Sequence, residues 1–472
     1  MLFRSTWLGT LGGNWSGARG VSADGTVVVG WAENAAGWER AFRWTELGGM
    51  QDLGTLPGGC CSIAYGVSAD GAVVVGGSYN AAAYGRAFRW TASGGMQNLG
   101  TLGGTWSAAN AVSADGSVVV GWAYNAAGYV RAFRWTAAGG MQDLGRLPGG
   151  DWSGAYGVSA DGAVVVGWAA NAAGFDRAFR WTAAGGMQDL GRLPGGVWSA
   201  AYGVSADGSV VVGASGWRAF RWTALGGMQG LGTLPGDGGS AAYDVSADGA
   251  VVVGGSYNAA WQGRAFRWTA AGGMQNLGTL GGDESEAYGV SADGAVVVGW
   301  ARNAAGQRRA FRWTASGGMQ DLGTLGGRES WANGVSADGA VVVGWAYNAA
   351  GDWHAFRWTA SDGMEDLNTT YASLLTNGSV LEVATAISPD GRYIVGYGYN
   401  AATGRPWEAF LLDTGFPRRG DVDRNGCVDD ADLLRLLFEF GGNGYRNEDL
   451  NWDGTVDDAD LLEVLFNFGS GC

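Results

Sequence analysis

The sequence contains no lysine: all 29 of its Lys-plus-Arg residues are arginine. That excludes Schiff-base chemistry and any lysine nucleophile. It contains one histidine, His354, so histidine-cluster metal sites are excluded and histidine-dependent triads lack material. The four cysteines, Cys60, Cys61, Cys427 and Cys472, form no Cys-x-x-Cys pair, which leaves zinc and thioredoxin-like readings without support. No apolar run approaches the length of a membrane span. The opening Met-Leu-Phe-Arg-Ser-Thr lacks the apolar core of a signal peptide. Positive charge is short: the formal net charge is −15, and residues 418–472 carry 13 acids against 5 arginines, a net −8. Such a chain repels nucleic acid and anionic membranes, because phosphate binding needs a basic patch.

Glycine is abundant instead, 89 of 472 residues, against a usual share of about 7%. With 47% hydrophobic residues and 25 tryptophans, the chain is no disordered filler. The composition suits many short strands joined by tight turns.

The chain repeats itself. Ser-Ala-Asp-Gly has its Asp at 24, 70, 115, 161, 207, 248, 293 and 338, and a ninth copy reads Ser388-Pro389-Asp390-Gly391. Most spacings are 45 or 46; the fifth unit is shortened to 41. Arg-Ala-Phe-Arg-Trp follows each turn, with His354 leading the eighth copy and the ninth decaying to Glu408-Ala409-Phe410-Leu411-Leu412. Gly-Met-Gln-Asp-Leu-Gly or a close variant comes next, and every methionine except Met1 belongs to it. Each unit reads as four strands: Ala-Tyr-Gly-Val-Ser, a hairpin turn at Ala-Asp-Gly, Val-Val-Val-Gly buried on both faces, Arg-Ala-Phe-Arg-Trp, and Met-Gln-Asp-Leu.

About 45 residues and four strands per unit is the period of a β-propeller blade. The fold class expected is therefore mainly β: a propeller of eight to nine blades over residues 1–412, with a β-solenoid as the alternative. The last unit lacks a fourth strand, and Ser5-Thr6-Trp7-Leu8-Gly9-Thr10-Leu11 matches the missing one. The N-terminal strand is expected to complete the ninth blade and remove the exposed edges.

The pattern Arg-Ala-Phe-Arg-Trp, and above all His354-Ala355-Phe356-Arg357-Trp358, resembles the bacterial extracellular repeat family named for its His-Ala-Phe motif. The resemblance implies a secreted or surface location and no established catalysis. It supplies no functional residues. An extracellular location conflicts with the missing signal peptide, so the start is expected to be misassigned or truncated.

Residues 413–419 read as a linker and residues 420–472 as a second unit. Asp421-Val-Asp423-Arg-Asn425-Gly426-Cys427-Val-Asp429-Asp-Ala-Asp432 and Asp449-Leu-Asn451-Trp-Asp453-Gly454-Thr455-Val-Asp457-Asp-Ala-Asp460 place oxygen ligands at loop positions 1, 3, 5, 9 and 12, with Gly at 6. That is the spacing of an EF-hand-type calcium loop, where position 7, Cys427 or Thr455, ligates through its carbonyl. Two Ca2+ ions are expected, with affinities in the micromolar-or-weaker range. Asp at position 12 and a duplication at 28 residues resemble a type I dockerin. That resemblance implies calcium-dependent folding and docking to a cohesin-like module whose carriers organise polysaccharide-degrading enzymes. The usual hydroxyl pair before position 12 is replaced by Asp430-Ala431 and Asp458-Ala459, so a standard cohesin specificity is not implied.

In the helices that follow, Leu433, Leu436, Leu437 and Phe440 form one stripe, expected to be core. Leu434, Phe438, Leu462 and Phe466 lie beside the stripes as candidate partner contacts, with wider core packing as the alternative. Dockerin-like folds bring their ends together, so a Cys427–Cys472 disulfide is expected, stabilising by about 4 kcal/mol on the chain-entropy model; free thiols are the alternative. A disulfide places the chain outside the cytoplasm. Cys60-Cys61 reads as a vicinal disulfide or two free thiols.

Catalysis needs unlike residues converging, and repeats do the opposite. The nine turn aspartates read as turn devices and His354 as a repeat variant. Two loops vary between units. Trp15, Trp106 and Trp152 follow the Gly pairs. Trp38, Tyr84, Tyr129, Phe175, Trp217, Trp261, Trp353 and Trp407 stand before the third strand. Equivalent positions share one rim, where aromatics would stack on sugar faces or pack between blades. The function expected is a secreted, non-catalytic binding or scaffold protein. The alternatives are a propeller-fold glycosidase or lyase, for which Glu284, Glu286 and Glu329 are the clustered off-repeat acids, and a purely structural surface protein.

Overall fold

In a computed structural model, the described residues are 4–375, 377–415, 420–423, 427–442, 448–450 and 455–470. Residues up to Asp413 form nine four-stranded antiparallel sheets, one per repeat. The chain is a nine-bladed β-propeller, and neither the eight-blade nor the solenoid alternative holds.

The first strand, β1 (Arg4–Gly9), belongs to the last blade. The first blade is β2 (Gly12–Val21), β3 (Val27–Asn34), β4 (Glu39–Thr45) and β5 (Gly49–Asp52), in spatial order from the axis outward. Asp24 closes the β2–β3 hairpin. Its carboxylate accepts from the Ser22 hydroxyl (2.6 Å) and from the Thr26 amide (3.0 Å), while Gly25 takes φ +70°. All nine turn aspartates accept from the serine two residues earlier. Their role is to tie turns.

β3 explains the valine run. Val28 packs with Leu8, Val395 and Leu411 of the ninth blade, whereas Val27 and Val29 pack with Ala64, Val74 and Phe88 of the second. Alternate residues of one strand thus face two different neighbours, so both faces are dry. Gly30 follows because a Cβ there would stand 2.1 Å from the carbonyl oxygen of Gly17. In β4, Ala41 and Phe42 are fully buried. Arg43 lies over the Trp90 ring of the next blade at 5.6 Å, a cation–π contact repeated at six further seams from Arg89–Trp135 to Arg312–Trp358.

Near the axis, the alanine of each turn donates its amide to the carbonyl of the next blade, from Ala23 to Ala69 (2.9 Å) through Ala337 to Pro389 (2.8 Å). Pro389 has no N–H, so this circle of eight bonds stops at the seam between blades nine and one. Other contacts close that seam. β1 pairs with the strand Arg405–Asp413, Ser5 opposite Leu412 and Trp7 opposite Phe410. The Ala409 amide donates to Ser16 Oγ (2.8 Å), and Thr385 Oγ1 donates to the Ala18 carbonyl (3.0 Å). A short helix α1 (Leu367–Thr370) and a turn of 3-10 helix, Ala372–Leu374, link blades eight and nine; Leu367, Tyr371 and Leu375 seal their shared core.

The axial channel has a volume of about 530 Å3 and is walled by one valine or isoleucine and one alanine or proline per blade, with Asp244 its one ionisable lining residue. Glycine holds that place in most units (Gly20, Gly157, Gly203). The Asp244 carboxylate accepts from the amides of Val245 (2.8 Å) and Val290 (3.1 Å). Burial in the apolar wall outweighs these bonds and pushes its pKa up to about 6.

The C-terminal unit has two helices, α2 (Asp430–Phe438) and α3 (Asp458–Asn467). Its core is Val422, Val428, Leu436, Val456 and Val464. Val428 pairs with Gly469 and Ser470 beyond α3, and Val456 pairs with Gly441 and Gly442 beyond α2. Leu433 and Leu436 are core as expected, but Leu437 and Phe440 are exposed. Phe440 lies past the helix end, where helical periodicity no longer applies, and the described residues leave the far side of the stripe exposed.

Two outcomes are expected. Removing residues 1–11 opens the ring, deletes buried Leu8 and half-buried Trp7, and exposes the apolar surface they cover around Val28, Phe410 and Leu411, a loss of about 3–6 kcal/mol; calorimetry showing an unchanged melting temperature would refute closure by β1. Asp244 binds a proton in the folded chain between its ordinary carboxylate pKa and about 6, while the unfolded chain has released it. Stability therefore falls as pH rises through that window. Replacing it by the repeat residue, Asp244→Gly, should flatten this fall, which a series of melts from pH 4 to pH 7 would read.

Candidate functional site

The propeller framework is nearly invariant, so chemistry falls to the two variable loops, and both lie on one rim. Aromatic residues from neighbouring blades meet there: Tyr84 with Trp106 at 5.8 Å, Tyr129 with Trp152 at 5.5 Å, and Trp407 with Trp15 at 6.0 Å across the closing seam. Trp38, Phe175, Trp217, Trp261, Trp353 and Trp407 keep large exposed areas, and Tyr129 is half-buried. The rim aromatics therefore pack between blades, one of the two readings of the sequence, and also keep ring surface exposed to solvent.

Trp261 is displaced by one place from its sequence assignment. The Asn258 amide donates to the Gln262 carbonyl, as that of Asn125 does to Tyr129. Gln262 thus holds the aromatic position, and Trp261 holds that of Gly128. It adopts φ +62° there, and Trp217 (+65°) and Trp407 (+64°) share the left-handed backbone that bulky residues rarely take. The only other non-glycine residue with positive φ among the described residues is Ala83.

A cleft of about 560 Å3 opens between blades eight and nine. Its walls include Tyr347, Trp353, Tyr399 and Trp407, with Asp352, His354 and Glu382 among them. His354 occupies the register of Arg309, which faces Asp321 at 4.0 Å; the histidine instead donates from Nδ1 to Asp366 (2.7 Å), while Asn348 donates to its Nε2 (3.2 Å). It is a repeat variant as expected, and the exchange puts a ring into the cleft wall. Burial works against the Asp366 charge, but hydrogen bonds from His354 and Asn368 hold its pKa below the ordinary value. Glu382 is shifted the other way, upward, by burial. Glu382, Tyr347 and Tyr399 were not singled out in the sequence. The available signal was unit nine's departure from Ala-Tyr-Gly-Val, where Leu381-Glu382-Val383 replaces repeat residues.

Two of the three acids named for catalysis, Glu284 and Glu286, are engaged elsewhere. Glu284 accepts from Arg302 (2.6 Å), and Glu286 accepts from the hydroxyls of Tyr257 (2.9 Å) and Tyr288. Cys60 and Cys61 are free thiols, with sulfurs 2.8 Å apart. Burial, reinforced by Cys60, pushes the Cys61 thiol up to about 12.

In the C-terminal unit, carboxylate oxygens of Asp421, Asp423 and Asp432 gather within 4.8 Å of one another. Asp432 is fully buried; it accepts from the amides of Asp423 (2.9 Å) and Asp429 (2.9 Å), and Asp429 caps α2. Asp460 repeats this on α3, accepting from Leu450 (2.6 Å) and Asp457 (2.9 Å), and Asp449 beside it is fully buried. Burying like charges together is unfavourable without a counter-charge. A hard divalent cation fits this set of carboxylate oxygens. Asn425, Asn451, Asp453 and Cys472 lie outside the described residues. Cys427 is disulfide-bonded. Of the candidate partner contacts, Phe438 and Phe466 are 85% and 82% exposed and Leu434 and Leu462 about half, so wider core packing does not account for them. Among the described residues no helix is long and apolar enough to cross a membrane.

No family model matches the chain, and neither does any curated protein. Solved structures with similarity include a eukaryotic initiation factor (12% identity, 74% of this chain and 86% of that one, TM-score 0.49). Others are dipeptidyl peptidase 4 of Porphyromonas gingivalis (10%, 82% and 65%, 0.44) and an oligogalacturonate lyase in complex with manganese (14%, 64% and 88%, 0.34).

Proposed function

We propose that the protein is a secreted, non-catalytic binding protein: the propeller rim takes a polysaccharide and the C-terminal unit attaches the chain to a cohesin-like module. The observation that carries this is the gathering of Asp421, Asp423 and Asp432 beside a helix N-terminus, repeated in kind by Asp449 and Asp460. Asp421, Asp423, Asp429 and Asp432 would hold one Ca2+ with Asn425 and the Cys427 carbonyl. Asp449, Asp457 and Asp460 would hold a second with Asn451, Asp453 and the Thr455 carbonyl. The ions neutralise buried carboxylates and so order the unit. That leaves Leu434 and Phe438 on one helix, and Leu462 and Phe466 on the other, as matching apolar patches for a partner. The disulfide at Cys427 favours an oxidising, extracellular compartment.

For the rim, the cleft between blades eight and nine supports a sugar ligand best. It combines exposed Trp353 and Trp407 with the polar groups of Asp352 and Glu382, flat faces for the sugar's C–H surface and acceptors for its hydroxyls. The Glu382 carboxyl, shifted upward, keeps a glycosidase or lyase reading in view.

Calorimetry with millimolar calcium should give binding in the micromolar-or-weaker range and a C-terminal melting transition that EDTA abolishes. Asp423→Ala should weaken one site by on the order of tenfold. Heat and melting curves indifferent to calcium would end the attachment reading. On a glycan array, Trp353→Ala and Trp407→Ala should each lose binding, with no released sugar in a parallel reducing-end assay. Turnover abolished by Glu382→Gln would favour the enzyme instead, and silence in both assays a structural protein.

A further inference from the structure

The fifth blade differs from every other in length, and the consequence is a second pocket unlike the first. Its second and third strands, Val210–Ser215 and Arg218–Thr223, are joined by Gly216 and Trp217 alone. Both have positive φ, 54° and 65°, as a two-residue turn of the mirror-image type requires. Losing the longer hairpin uncovers a space of about 240 Å3 against the sixth blade. Six aromatic residues line it: Trp198, Tyr202, Trp217, Tyr243, Tyr257 and Trp261. The rings stand across one another. Trp198 and Trp217 are 5.5 Å apart at 88°, Trp217 and Trp261 5.2 Å at 75°, and Tyr257 and Trp261 6.4 Å at 47°.

We infer that this space is a binding site for a quaternary ammonium group, such as the trimethylammonium head of choline or a betaine.

Four observations lead there. The volume is below the about 300–1,000 Å3 of pockets for larger ligands, so the occupant is a small head group. Rings meeting at steep angles offer faces from several sides, which suits a compact cation rather than a flat sugar. The inner polar atoms are already spent: the Tyr243 and Tyr257 hydroxyls bond to each other, and Ser240 Oγ donates to the Gly232 carbonyl (2.7 Å) and accepts from Ala219 (2.8 Å). Hydroxyls of a sugar would be desolvated against them at a cost, whereas methylated nitrogen needs no acceptor. Charge also agrees. Tyr257 donates to the Glu286 carboxylate (2.9 Å), which enriches the ring in electrons and places a negative charge behind the cage. The neighbouring cation, Arg264, is paired with Asp237 at 2.5 Å.

The backbone supplies independent support. Trp217 and Trp261 both hold left-handed φ, a strain that persists at functional sites when the surroundings impose it. Glycine would serve both turns without strain, so the indoles are there for what they face.

The inference goes beyond the polysaccharide reading and takes Trp217 and Trp261 out of it. The test titrates the full chain with choline, with tetramethylammonium and with 3,3-dimethylbutan-1-ol, the neutral carbon analogue of choline, by calorimetry and tryptophan fluorescence. Choline and tetramethylammonium should saturate, and the neutral analogue should bind at least about tenfold more weakly. Trp261→Ala and Trp217→Gly, the latter relieving its turn, should each weaken choline by about tenfold. Glu286→Gln should weaken it severalfold, and Trp353→Ala should leave it unchanged. Equal binding of the neutral analogue would mean an apolar pocket without charge recognition. Displacement of choline by glucose or cellobiose would return the site to sugars. Absence of saturation by a chain with a native melt, or saturation that survives both tryptophan substitutions, would also overturn the inference.

Discussion

The structure depends on one middle strand having two dry faces. In each blade the second strand sends one side chain to the preceding blade and two to the following one, as Val28 does against Val395 and as Val27 and Val29 do against Val74, and as Ile394, Tyr393 and Val395 do in the ninth. A blade alone would leave one of those faces in water, so no blade is a stable unit by itself. The strands are held close enough for this by glycines such as Gly30, whose missing side chain makes room for a carbonyl oxygen. Covering the last face requires a ring. The ring is closed by β1, which lends the ninth blade its fourth strand and covers the edge of the strand Arg405–Asp413.

A framework this uniform concentrates individuality at the rim. Where units keep the full hairpin, the aromatic loops brace one another across seams. Where they depart from it, they open spaces: the truncated fifth hairpin beside the sixth blade, and the decayed ninth unit beside His354. Three tryptophans with left-handed backbone stand in those two places and nowhere else among the described residues. The two spaces differ chemically. One mixes rings with carboxylates and a histidine; the other is almost wholly ring surface, with its acid one layer back.

The C-terminal unit obeys a different constraint. It is too small to bury a core of ordinary size, and it spends part of its interior on carboxylates. Asp432 and Asp460 each complete a helix's capping box with one oxygen and tie back a loop with the other. Its apolar core reduces to a few valines and Leu436, and this leaves Phe438 and Phe466 standing in solvent as a symmetric pair.

The repeat period, the valine runs and the orphaned strand at the N-terminus determined a closed propeller, because period and pairing are local properties that nine copies state nine times over. The turn aspartates and the gathering of Asp421, Asp423 and Asp432 were equally legible, since each depends on residues within a dozen positions. The blade number and the placing of Trp261 were decided only in three dimensions, where hydrogen-bond register counts and spacing in the sequence does not. The same holds for Leu437 and Phe440, whose stripe was periodic but which the described residues leave exposed. Asp244, Glu382 and the cage around Trp217 were invisible for one shared reason. Each is made by side chains from neighbouring blades, tens of residues apart in the chain, that meet only when the ring closes.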